Sequence, residues 1–252
     1  MQILAIVNQK GGSAKTTTSV NLASTLAEHG KKVLLVDVDP QGSSSKWLRC
    51  TNTDKGIYNV FTDNTSICGN VMETGIAGLS IIPSSPWLIG LEKALASEVG
   101  AETVLRRKLG ELEKKWDYIL IDCPPALGLL SLSALVAADE VLVPLETRVM
   151  ALDGLAQLLQ TIETVRVRLN PGLKLNGIVA CRVDKRTRLS LDIMSDLRKR
   201  FNGQVYETCI RETVKLAECP SFGQPITLYD PKGQGTEDYR QLAKELIKRT
   251  KS

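Results

Sequence analysis

The chain has 252 residues, 43% of them hydrophobic, 4% aromatic and 24% charged, and carries a net charge of +4. That length and apolar content supply a core without staples and exclude a disordered tail, a collagen-like repeat and a small secreted scaffold. No apolar run approaches the roughly 18 residues a bilayer span needs, and the only histidine, His29, argues against a Ser-His-Asp triad or a multi-histidine metal site.

In chain order, the apolar run Ile3 to Val7 predicts a first strand, followed by a helix from about Lys15 to His29 that closes on Gly30. Val33 to Val36 predicts a second strand. From Thr51 to Gly78 the pattern is weakest, and a peripheral insertion is expected there. Tyr118 to Ile121, Val141 to Val143 and Ile178 to Ala180 are further strands, with a helix through Leu152, Leu155, Leu159 and Ile162 between the last two. A final helix repeats Tyr239, Leu242, Ala243, Leu246 and Ile247 at helical spacing. Apolar runs that do not alternate belong to strands buried on both faces. Strand and helix in alternation therefore predict an α/β fold: a doubly wound, mostly parallel sheet with helices on both faces. Without an internal repeat or a linker, residues 1–252 are expected to form one domain. The six cysteines (Cys50, Cys68, Cys123, Cys181, Cys209, Cys219) contain no C-x-x-C pair and are expected to be reduced core residues of a cytoplasmic protein.

The strongest motif joins the first strand to the first helix: Lys10-Gly11-Gly12-Ser13-Ala14-Lys15-Thr16-Thr17. A glycine-rich turn there points backbone N–H groups at an anion, and the helix N-terminus adds a favourable dipole. Lys15 would reach the β- and γ-phosphates of a nucleotide, and the Thr16 hydroxyl would ligate Mg²⁺. The pattern G-x-x-x-x-G-K-[ST] fails at Gln9 and Ala14. The variant K-G-G-x-x-K-T-[ST], with its additional lysine Lys10, matches.

On these residues the chain resembles the deviant Walker A P-loop ATPases, and further motifs narrow the resemblance to the ParA/Soj type. They are Val36-Asp37-Val38-Asp39-Pro40-Gln41-Gly42, Leu120-Ile121-Asp122-Cys123-Pro124-Pro125, Pro144-Leu145-Glu146, Leu152-Asp153-Gly154-Leu155, and Pro220-Ser221-Phe222-Gly223-Gln224-Pro225-Ile226. They run in order over essentially the whole chain, as in the short form without an N-terminal DNA-binding extension. Two positions depart from the pattern: Ala14 replaces a glycine, and Arg211-Glu212-Thr213 replaces Pro-Arg-Asn.

The resemblance implies a Mg²⁺-dependent ATP hydrolase with ATP on Gly11 to Thr17. Asp122 would hold Mg²⁺ through a water, Asp39 would contribute to the metal site and position the attacking water, and Asp37 would assist. Lys10 would cross the interface of a face-to-face homodimer to the partner's phosphates. Between Arg182 and Arg200 lie seven basic and three acidic residues, a local excess equal to that of the whole chain. With Arg186, Arg188 and Lys215 as its footprint, this stretch is expected to bind DNA through phosphates and without sequence preference. The resembled function is partitioning of chromosome or plasmid DNA with a ParB-like stimulating partner, on the nucleoid. The alternatives are a MinD-like, membrane-associated positioning ATPase and a ParA-like ATPase that positions a protein cargo. The final helix decides against membrane binding, because it is basic and amphipathic but carries no Phe or Trp.

Overall fold

The computed structural model describes every residue except 52–55, 63–65, 96, 113–114, 148–150 and 251–252. The apolar runs become the strands β1 (Gln2–Ile6), β2 (Val33–Asp37), β5 (Tyr118–Asp122), β6 (Glu140–Glu146) and β7 (Lys174–Cys181), joined by β3 (Met72–Glu73) and β4 (Leu79–Ile82). They form one sheet in the order β3-β4-β2-β5-β1-β6-β7. Every neighbouring pair is parallel except β3 with β4.

Alternation along these strands divides their side chains between two layers. Leu4, Ile6, Leu35 and Leu120 face one core, and Ala5, Leu34, Ile119 and Ile121 face the other. Over the first lie α1 (Lys15–Glu28), α2 (Ser43–Trp47), α9 (Val214–Phe222), α10 (Ile226–Tyr229) and α11 (Gln234–Thr250). Over the second lie α3 (Ile57–Thr62), α4 (Leu88–Leu95), α5 (Val104–Leu109), α6 (Leu129–Ala137), α7 (Ala151–Arg168) and α8 (Arg188–Arg200). The doubly wound architecture is as expected.

The stretch from Thr51 to Gly78 is more than an insertion. Its described part sends Ile57, Val60, Phe61 and Ile67 into the core and supplies β3 at the sheet edge. A two-residue strand leaves no periodic trace, which is why the pattern fails there. Among the six cysteines, all free, Cys50, Cys123, Cys181 and Cys219 are buried, Cys209 is half-buried and Cys68 is exposed. His29 is the C-cap of α1, with Nδ1 2.9 Å from the Thr25 carbonyl oxygen. In α7, Leu155 and Ile162 are buried; the side chains of Leu152 and Asp153 lie outside the described part.

Tyr239, Leu242, Ala243 and Leu246 of α11 are buried against the sheet layer that holds α1. That helix therefore turns its apolar side to the sheet and its polar side to solvent. Among the described residues no helix is long and apolar enough to cross a membrane.

The crossovers place the site. From β1 the chain passes through α1 to β2 on one side, and from β5 it passes through α6 to β6 on the other. The reversal between the adjacent strands β1 and β5 opens a crevice at their carboxyl ends, where ligands of such sheets bind.

Candidate functional site

Asn8 fixes the loop that leaves β1. Its Nδ2 donates to the Pro144 carbonyl oxygen at 2.6 Å, and its Oδ1 accepts from the Lys10 N–H at 3.0 Å. The loop then takes two left-handed residues, Gly12 (φ 76°) and Ala14 (φ 68°), one on each side of Ser13. Ala14 adopts the conformation for which glycine is suited, so the methyl group at this departure is accommodated at a cost in backbone strain. No side chain caps α1 and its first turn carries no acidic residue, so the leading N–H groups stay open toward the loop.

Lys15 is 7% exposed, and its Nζ donates back to the Lys10 carbonyl oxygen at 3.3 Å. Burial pulls its amine below the ordinary lysine range, while Asp122, Cys123 and Asp39 pull the other way. The Ser13 hydroxyl is buried without a hydrogen-bond partner. An orphaned donor, a half-satisfied buried ammonium and an uncapped helix start are what a bound polyanion completes. Gly11 and Lys10 are exposed on the outside of the loop, and Thr16 and Thr17 are half-buried in the first turn of α1.

Asp37 and Asp122 are register partners on β2 and β5. Asp122 accepts from Ser19 Oγ at 3.0 Å and Ser44 Oγ at 2.6 Å, and the Thr16 hydroxyl bonds to it as well. Burial pushes its carboxyl above the usual range, against the pull of these three hydroxyls. Asp37 is fully buried and accepts from the Ser45 N–H (2.9 Å), Ser45 Oγ (2.6 Å) and the Asp39 N–H (3.2 Å). It is pushed up to about 8 by burial first and by Asp122 second. Its contacts secure the start of α2 and the Asp39 loop, so it supports the site from beneath. Asp39 accepts from the Gln41 N–H at 2.9 Å, and its carbonyl accepts from Ser84 Oγ.

Asp122 and Asp39 both act on the one Lys15 ammonium, a charge balance that admits a cation. Among the described residues no three His, Cys, Asp or Glu side chains are grouped to hold a metal by themselves. A magnesium ion fits this donor set in its usual way, through one or two protein oxygens with the remainder from water and ligand phosphates.

The structure brings Lys15, Thr16, Asp39 and Asp122 together at the ends of β1, β2 and β5, and leaves Lys10 at the rim. Sequence reasoning missed the serines that hold them. Their signal is the Ser43-Ser44-Ser45 run directly after Gly42, small hydroxyls beside a buried acid pair. It also missed that Arg211 is tied to Asp238 by a two-pronged ion pair, with Nη2 2.6 Å from Oδ1.

Arg186, Arg188 and Lys215 follow β7 in the chain, and all three are exposed. A groove lined by Val183, Asp184, Arg186, Glu212 and Val214 joins the loop after β7 to the start of α9. The basic stretch is less positive than its composition suggests. Arg186 forks onto Asp184 at 2.9 Å, Arg198 meets Glu207 at 3.3 Å and Lys215 meets Glu218 at 3.2 Å. Arg182 turns away from the group and pairs with Glu146 at 3.0 Å. Among the described residues Lys185, Arg188, Lys199 and Arg200 have no ion-pair partner.

The AAA domain family matches residues 1–175. The chain is 42% identical over 247 residues to the sporulation initiation inhibitor protein Soj of Bacillus subtilis (strain 168), covering 97% of this chain and 98% of that protein. It is 44% identical over 250 residues to the chromosome partitioning protein ParA of Myxococcus xanthus (strain DK1622), covering 98% and 88%. A solved structure of cobyrinic acid a,c-diamide synthase from Mycobacterium smegmatis, with bound ATP analog and magnesium, matches 100% of this chain and 96% of its own at a TM-score of 0.87 and 35% identity.

Proposed function

The chain belongs to the ParA/Soj family of ATPases, and on that premise we propose that it is a Mg²⁺-dependent ATP switch that dimerises on ATP and binds DNA without sequence preference. The observation that carries this reading is the uncapped start of α1, with buried Lys15 and the orphaned Ser13 hydroxyl facing two acid-bearing strand ends.

Phosphoryl transfer to water needs positioning and charge neutralisation more than covalent help. Magnesium, when bound with the nucleotide, supplies part of that neutralisation. The N–H groups from Gly11 to Thr17 bind phosphate oxygens, and the Lys15 ammonium moves from the Lys10 carbonyl to the phosphates. Thr16 would hold the metal by its hydroxyl and Asp122 through a water, and Asp39 would contribute to the metal site and orient the attacking water. Ser19 and Ser44 keep the Asp122 carboxylate aimed, and Asp37 keeps the Asp39 loop in place. Lys10, exposed on the rim, is available to a second subunit facing the first, and hydrolysis would remove the charge that joins the two.

Arg186, Arg188 and Lys215 form the DNA-facing surface in this reading. Exposed ion pairs are worth little, so Arg186 and Lys215 exchange Asp184 and Glu218 for phosphate readily. A ParB-like partner would stimulate hydrolysis and release the dimer from DNA, driving partition of chromosome or plasmid DNA on the nucleoid. The test is binding of the purified protein to unrelated DNA with no nucleotide, with ADP and with ATP and Mg²⁺, beside a liposome control. DNA binding in ATP alone is expected. ATP-dependent binding to liposomes and not to DNA would overturn the reading in favour of a membrane-positioning ATPase.

A further inference from the structure

The parallel strands β1, β2, β4 and β5 end at one edge of the sheet, where their outgoing loops, 7–14, 38–42, 83–87 and 123–128, surround the phosphate site. In a chain with 24% charged residues, this face is poor in charge. Lys10 is the one exposed charged residue of those four loops, and Pro86, Trp87, Pro125 and Ala126 are exposed beside it. The centres of protein interfaces show the same bias, depleted of charge and enriched in tryptophan.

Trp87 is 66% exposed, whereas Trp47 and Trp116 are buried, and Ile89 close by is 55% exposed. A lone exposed apolar side chain is ordinary; a rigidly held indole on a charge-poor face is not. Leu88 and Leu91 fix the start of α4 in the second core. The Trp87 N–H donates to Ser85 Oγ at 3.3 Å, and the Ser84 N–H donates to Ser45 Oγ at 2.8 Å. Ser84 Oγ donates in turn to the Asp39 carbonyl oxygen. The segment that presents the indole is therefore knit to the Asp39 loop and to α2.

We infer that Trp87, with Ile89 beside it, is the apolar anchor that holds a second copy of this chain face to face across the nucleotide sites. The inference rests on the ATP-dimer reading and adds to it a contact that the nucleotide does not supply. A stable interface buries about 800 Å² on each partner, a disc of about 16 Å radius. β4 lies three strands from β1 in the sheet, about 14 Å at ordinary strand spacing. An interface centred on the phosphate loop and large enough to be stable thus reaches Trp87. Exposed charges contribute little to such a contact, whereas a buried tryptophan is the residue type that dominates it. Two-fold symmetry gives each dimer two such anchors, so one substitution removes both.

Sedimentation over a range of protein concentrations, with Mg²⁺ and a saturating non-hydrolysable ATP analogue, gives the dimer Kd. Trp87→Ala is expected to raise it about a hundredfold, Ile89→Ser to raise it by less, and Trp87→Phe to restore most of the loss. Indole emission supplies a readout that needs no variant. At saturating analogue, diluting the wild type through its dimer Kd should shift emission to the red as Trp87 returns to water. Holding the nucleotide saturated keeps its own effect on Trp47 and Trp116 constant. An unchanged Kd in Trp87→Ala, or a wild-type dimer whose emission does not change on dilution, overturns the inference. So does a blue shift on phosphatidylglycerol vesicles without a doubling of mass, which would assign the indole to a membrane. Wild type that binds the analogue yet sediments as a monomer throughout would overturn the dimer reading itself, and the anchor with it.

Discussion

Lys15 illustrates how a buried charge anticipates its ligand. Desolvation lowers its affinity for a proton, and the hydrogen bond from its ammonium to the Lys10 carbonyl is a long one. Lys15→Ala should therefore leave the fold intact and weaken Mg²⁺-ATP binding beyond detection in a calorimetric titration at micromolar protein, since phosphate charge is then poorly neutralised. Unchanged affinity would remove the loop from the nucleotide site. Asp37 makes a second residue-level prediction, on pH. Its carboxyl is raised in the fold to about 8 from an ordinary value near 4. Between those values the folded chain holds a proton that the unfolded chain has released, so stability falls as pH rises through this window and levels off above it. Asp122 is raised as well and slopes the same way. The thermal midpoint without nucleotide should decline from pH 5 to pH 8, and Asp37→Asn should make that decline shallower. An equally steep decline in the variant would mean that Asp37 is not the group being titrated.

At the scale of elements, the join between β1 and α1 carries a conflict between backbone and side chain. The left-handed turn at Ala14 costs about 1–2 kcal/mol for a residue with a Cβ. Against this, its methyl packs in part against the core that holds α1 and is worth at most about 0.8 kcal/mol. Strain wins narrowly, so Ala14→Gly should stabilise the protein by about 0.5 kcal/mol, a thermal midpoint higher by roughly one to two degrees. A lower midpoint would show that packing outweighs the turn. The same join shows why much of the fold is legible in sequence. Unbroken apolar runs, a glycine turn and a helix ending before Gly30 each have one local cause, and they place β1, α1 and β2 within a residue or two. The edge strand β3 and the buried helix α3 have no such local cause. Both are stabilised by what they pack against, β4 and the second core. The site divides in the same way. Lys15, Thr16, Asp39 and Asp122 follow from motif spacing, whereas Ser19, Ser44 and Ser45 take their roles from the pairing of β2 with β5 across long stretches of chain. Arg182 turns from the basic stretch to pair with Glu146, because sequence neighbours on either side of a strand end need not face the same way.

For the whole molecule, the proposed switch requires that a nucleotide site at the end of β1 govern the exposed basic residues of the loop after β7 and the start of α9. A single subunit presents Arg186, Arg188 and Lys215, two of them shared with nearby carboxylates, which is too little to hold DNA firmly. Non-specific binders typically reach only about 10⁻⁴ to 10⁻⁶ M at physiological salt. Fixing two such surfaces on one ATP-joined dimer makes the second contact intramolecular and can raise avidity by roughly 10² or more without new contacts. ATP should thus switch DNA binding on by assembling the dimer. Lys10→Ala should bind ATP yet remain a monomer by sizing chromatography, and Asp39→Ala should accumulate as an ATP-bound dimer that hydrolyses slowly. Lys10→Ala dimerising as well as wild type would overturn the crossing role of that lysine. Arg186→Glu separates the two steps. Arg186 is exposed and its side chain pairs with Asp184, so the variant should dimerise normally in ATP while losing affinity for unrelated DNA by tenfold or more, because each subunit exchanges a positive charge for a repulsive one beside Asp184. Wild-type affinity should fall steeply with added salt, and the variant, with fewer phosphates neutralised, should show a shallower slope. Equal binding by wild type and Arg186→Glu would move the DNA surface away from the loop after β7, to another face of the same dimer.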